Sequence, residues 1–126
     1  MSRKPEYDPG QSQDREWWTS LDEQEQIDVV LEHHRRAGLE IPGEMLHALT
    51  HVIVENQILL EDATPVASTL ERLIQEGLSR HEAIHAVGTA LAPTLLQVAK
   101  GEIRSDVSTA YYERLRELTA ESWLAG

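Results

Sequence analysis

His81 and His85 stand four residues apart with Glu82 between them, in the string SRHEAIHAVG at residues 79–88. The spacing fits His-Glu-x-x-His, in which two imidazoles on one helix face bind zinc and the glutamate activates the metal-bound water. That chemistry needs all three groups in one cleft. A helix beginning at Ser79 gives Glu82 a simpler occupation. It falls at the third helical position, where its carboxylate can accept from the Ser79 N–H in a capping box, at the positive end of the helix dipole. At about 100° per residue, Ile84, Val87, Leu91, Leu95 and Val98 form a core face. Glu82 then points to solvent, and His81 and His85 lie on the flank with Gly88 and Ala92. Small residues on that flank let another helix or a ligand come close. No convincing strand is available to hold a peptide substrate by β-augmentation. The spacing therefore argues against a zinc hydrolase of the His-Glu-x-x-His type.

A second pair lies upstream. His47, His51 and Glu55 occupy positions i, i+4 and i+8 of the string HALTHVIVENQ, forming one slowly drifting stripe. Leu46, Leu49, Val52, Ile53, Asn56 and Leu60 make the main core stripe expected of this helix, with Val54 and Ile58 beside the histidines. A helix so apolar around its circumference is buried on two sides. Histidine pairs at i and i+4 on facing helices are a way for bundles to build metal sites. The candidate ligands are His47, His51, His81 and His85, with Glu55 as a further ligand or as the group that orients a ligand imidazole. Such a set suits a divalent transition metal: zinc, iron, nickel or copper. Cysteine is absent, which excludes thiolate ligands and disulfides. His33 and His34 are adjacent and cannot share one helix face, so His34 is expected to pack, His33 to be solvated, and neither belongs to the candidate site. The competing reading makes all the histidines packing residues of a non-catalytic helical interaction module, with Val54 and Ile58 buried against a second subunit.

The elements that must position these residues are helices. Ser20 and Glu23 are spaced as a capping box before a stripe of Ile27, Val30, Leu31 and His34, with Gly38 as the stop. Pro42 suits the start of the histidine-bearing helix. Thr64 and Pro65 open a third, whose Val66, Leu70, Leu73 and Ile74 turn inward before Gly77. Pro93 is expected to kink or divide the helix from Ser79. A last helix carries Val107, Tyr111, Leu115 and Leu118 on one side, with Trp123 docking its end. The fold class is all-α, an antiparallel bundle of four to five helices with short connections. Residues 1–15, polar and carrying Pro5, Pro9 and Gly10, read as a flexible tail, and 16–126 as one domain. Trp17 and Trp18 are placed to staple the first helix onto the core.

Twenty-two acidic residues against eleven basic ones give a net charge of −11. Such a surface repels nucleic acid and anionic membranes, so the acidity concerns solubility rather than a partner of that kind. No run of about 18 apolar residues suggests a membrane span, and the N-terminus lacks the apolar region of a secretory signal. The expected location is the cytoplasm, with a homo-oligomer or another protein as the possible partner. There is no Gly-rich phosphate loop, nucleophile elbow or basic patch.

The string LHALTHVIVENQ, a proline-containing turn before TLERL, and a further His-x-x-x-His resemble a bacterial family, domain of unknown function 1841, over roughly residues 45–91. On that pattern His47, His51, Glu55, Gln57, His81 and His85 match position by position. The resemblance implies an all-helical fold and makes Glu82 incidental, because the family's second pair does not require a glutamate after its first histidine. The family has no assigned activity, so the resemblance implies no reaction.

Overall fold

A computed structural model describes residues 6–36, 44–101 and 108–125 of the 126-residue chain. Among the described residues there are seven helices and no strand. They are α1 (Arg15–Ser20), α2 (Glu23–Arg36), α3 (Glu44–Leu59), α4 (Val66–Gln75), α5 (Arg80–Ala99), α6 (Ser108–Glu117) and α7 (Ala120–Ala125). A single tight turn at Glu61–Ala63 leads into α4. The expected Gly38 stop, Pro42 start and Val107 lie outside the described residues.

Local chemistry explains most of the helix ends. Ser20 ends α1, and the box that opens α2 lies two residues beyond the expected one. The Glu25 N–H donates to the Asp22 carboxylate at 2.8 Å and the Asp22 N–H to the Glu25 carboxylate at 2.9 Å. Gly77, at φ +114°, closes α4 as its sequence position predicts, with Leu78 N–H returning to the Leu73 carbonyl. The expected last helix is two. Thr119 and Ser122 cap each other's backbone N–H groups at 2.9 and 3.0 Å, which starts α7 afresh. Helix α5 passes Pro93 undivided. The proline and Thr89, whose carbonyl loses its partner there, are both exposed, so water can satisfy that carbonyl.

The central helices run antiparallel in adjacent pairs. From α3 to α5, Thr50 meets Gly88, His51 meets His85, and Glu55 meets Arg80. From α2 to α3, His34 meets His47 and Gln26 meets Asn56. Gly88 fixes the closest of these approaches: a Cβ there would lie 2.8 Å from Thr50 Cγ2. Two apolar clusters hold the bundle. One joins α3–α6 through Val54, Leu73, Ile84, Val87 and Leu115; the other joins the N-terminal segment to α2 and α3 through Tyr7, Trp18, Val30, Ala48 and Val52. Trp18 is fully buried and its indole donates to Asn56 Oδ1 at 2.8 Å, the staple the sequence suggests. Val54 is fully buried inside the chain and Ile58 packs on the same cluster. Val54 therefore has its packing partners within the chain, and Ile58 is partly covered by the same cluster.

Three further expectations change. Within the segment expected as a tail to residue 15, Tyr7 and Pro9 are buried. The outer turn of α5 leaves Val98 largely exposed. Most consequentially, α3 is rotated from its expected setting: Leu46 is 59% exposed and His51 only 1%. An imidazole is costly to bury without partners, and here α2, α5 and the N-terminal segment all supply them.

The capping box at the start of α5 is present, with the Ser79 N–H donating to Glu82 at 2.9 Å and the Glu82 N–H to Ser79 Oγ at 3.1 Å. Ser79→Ala should lower stability by about 1 kcal/mol in urea unfolding, without disturbing the histidines beyond it.

Candidate metal centre

All six histidines gather at the junction of α2, α3 and α5. Helix periodicity brings His47 to His51 and His81 to His85, with ring centroids 4.8 and 4.4 Å apart. The antiparallel setting of α3 and α5 then brings the two pairs together. His51 Nε2 lies 3.0 Å from His85 Nε2. Helix α2 adds a residue the sequence reading assigned to packing alone: His34 Nε2 lies 3.1 Å from His47 Nε2. Two groups are compact enough to hold an ion, His34–His51–His81 and His47–His51–His85, with all donor atoms in each within 4.8 Å of one another. Nitrogens about 2.0–2.1 Å from a tetrahedral zinc lie about 3.4 Å apart, so small side-chain shifts would close either group around one.

Hydrogen bonds decide where the lone pairs point. Tyr7 Oη donates to Glu55 Oε2 at 3.0 Å and lies 2.7 Å from His51 Nδ1. Its one proton is given to the carboxylate, so His51 Nδ1–H donates to Tyr7 and the lone pair of His51 sits on Nε2, where it accepts from His85 Nε2–H. His34 Nδ1 lies 2.8 Å from the Val30 carbonyl, which can only accept, so that ring too is protonated on Nδ1 and has its lone pair on Nε2. His81 Nε2 is buried without a hydrogen-bond partner among the described residues.

Glu55 sits behind this group. It is buried in an ion pair with Arg80, whose Nη2 and Nη1 reach Oε1 and Oε2 at 2.7 and 3.0 Å. The compact groups consist of histidine alone. The carboxylate acts on His51 through the Tyr7 hydroxyl, one of the two roles the sequence allowed it. Arg80 also donates to the Pro9 carbonyl at 3.0 Å, tying the N-terminal segment over the site. Sequence periodicity gave no sign of Tyr7. His34 did carry a sign, since it shares the buried α2 stripe with Val30 and Leu31.

The site is held neutral. Burial, and then the neighbouring His47 and His85, push His51 down to about 2. Burial, and then His81 and His47, push His85 down to about 4. His47 and His81 are lowered by burial first and by His34 among their neighbours. Neutral imidazoles are the form that binds metal, and an ion held by them alone keeps its full charge. It can then act as a Lewis acid or lower the pKa of a bound water toward about 7.

Glu82 faces away from this chemistry, its carboxylate held below its usual range by the Ser79 N–H and hydroxyl. It is not placed as the general base of a zinc hydrolase.

No family model, curated protein or solved structure matches the chain. The site is therefore read from its own geometry. Among the described residues no helix is long and apolar enough to cross a membrane.

The lowered histidines fix a pH dependence for the metal-free protein. In the unfolded chain they protonate near 6.5; in the folded chain they resist. Below that pH the unfolded state binds more protons, so stability present above about 6.5 falls as the pH drops toward 4. His51 alone gives a slope of about 1.4 kcal/mol per pH unit in that window, measurable as urea midpoints at pH 7, 6 and 5. Tyr7→Phe should cost about 1–3 kcal/mol at neutral pH, since it strands the His51 Nδ1–H and one Glu55 lone pair.

Proposed function

We propose that this protein binds one divalent transition-metal ion, zinc, iron or nickel, in the histidine cluster between α2, α3 and α5. The observation that carries the reading is the buried, unpartnered Nε2 of His81, within a group whose other members, His34 and His51, also turn Nε2 lone pairs inward. A buried polar atom with no partner calls for an explanation, and a cation shared by three lone pairs supplies one. In this reading His47, His51, His81 and His85 are ligands as the sequence suggested, His34 joins them on the support of its place in one compact group, and Glu55 orients His51 through Tyr7.

The number of ions follows from His51. It belongs to both compact groups, yet its Nδ1 is committed to Tyr7 and its Nε2 has one lone pair. The two groups are therefore alternative seats for a single ion, not a dinuclear pair. Kinship with the 1841 family would extend the same site to its relatives, since His47, His51, His81 and His85 are the matched positions.

Plasma mass spectrometry of the purified protein, offered zinc, iron and nickel in turn, should find close to one ion per chain. His51→Ala should abolish it, because it breaks both groups. Tyr7→Phe should retain the ion with affinity weakened about 10–100-fold. A parent protein that takes up none of the three metals would sink the reading and leave the histidines as packing residues.

A further inference from the structure

A cavity of about 460 Å³ opens between α3, α5 and Trp123, and three of its walls are His47, His51 and His85. That volume lies within the usual range for small-molecule sites. These are also the members of one compact histidine group. Three imidazoles would fill three of the four positions of a tetrahedral ion and leave one for a ligand from the cavity they line.

The lining has an unusual charge balance for this chain. Charged residues make up 26% of the sequence, yet the cavity wall contains no Asp, Glu, Lys or Arg. Its polar groups other than histidine are the Trp123 indole N–H and two hydroxyls, and both hydroxyls are occupied as donors. Thr50 Oγ1 donates to the Leu46 carbonyl at 2.9 Å, and Thr89 Oγ1 to the Ala86 carbonyl at 2.6 Å. The rest is apolar or small, including Ile84, Gly88 and Ala92. A second cavity of about 140 Å³, bounded by Leu95 and Leu96, shares Leu46, Thr50 and Ala92 with the first, so the apolar space continues along the helix pair.

We propose that this cavity binds a small apolar molecule that carries one metal-binding donor atom and no other charged group. The proposal rests on the metal reading above, with the single ion in the His47–His51–His85 seat rather than the alternative one. The metal would supply the one charged contact, because the wall offers no charged side chain to hold a second charged group. The apolar body of the ligand lies against Ile84, Ala92 and Trp123, and burial of that body supplies selectivity over donors that lack it.

The test uses the full chain loaded with cobalt(II), whose visible absorption reports a change of ligand. The probes are 4-phenylimidazole, imidazole and imidazole-4-acetate. 4-Phenylimidazole should shift the spectrum and bind at least about tenfold more tightly than imidazole, with imidazole-4-acetate the weakest. Ala92→Trp, on an exposed position of the cavity rim, should remove the preference for 4-phenylimidazole while cobalt content and the response to imidazole persist. Trp123→Ala should reduce the same preference from the opposite wall, with helicity by circular dichroism as the check that each variant folds. Equal binding of the three probes, or a preference untouched by both variants, would overturn the cavity proposal and leave the metal reading standing. Failure of the parent to take up cobalt and, equally, zinc, iron and nickel would overturn both.

Discussion

Burial of closely packed imidazoles disfavours their charged forms, and much of the structure around α3 follows from that constraint. Each protonated ring would repel its neighbours and lose its hydration, which is why burial is the first cause of every lowered histidine. A neutral ring has one donor and one lone pair. Pointing the donors outward, to the Val30 carbonyl and the Tyr7 hydroxyl, turns the lone pairs of His34 and His51 inward. The cluster is thus organised by what stands behind it as much as by its own members.

The support behind His51 is a chain of three groups of decreasing burial cost. The Arg80–Glu55 pair neutralises both charges inside the fold, and Tyr7 connects that pair to the ring. A buried pair of this kind contributes little net stability, because desolvation offsets the attraction. What it adds is definition. It ties the start of α5 to the middle of α3 and, through the Pro9 carbonyl, brings the N-terminal segment down over both. Residues that look like a polar tail become one wall of the site.

The bundle was legible in the sequence because its signals are local. The Ser79–Glu82 box, the Gly77 stop, the inward stripe of α2 and the Val66, Leu70 and Leu73 positions of α4 depend on spacings of three or four residues, and the structure keeps them; Ile74, also expected inward, is exposed at the end of α4. The histidine pairs were legible for the same reason. The rotation of α3 was not, because hydrophobicity favours Leu46 over His51, and only the partners on other helices reverse the preference. Tyr7 and Arg80 were invisible for a related reason: their roles depend on contacts 44 and 25 residues away. His34 lay between these cases. Its place on a buried stripe could be read, but its encounter with His47 depends on how α2 and α3 cross.

Gly88 carries a consequence for how an ion would be held. Where α3 and α5 come closest, the contact is a glycine against the methyl of Thr50, with no room for even one added carbon. The gap between the helices is thus set by a glycine against a methyl group. One turn away, His51 and His85 face each other across the same gap. A cation between them would be met by movement of the rings across a helix spacing that cannot widen or narrow independently of that contact. The rotamers of the histidines, not the separation of the helices, would then set how closely the ligands approach an ion.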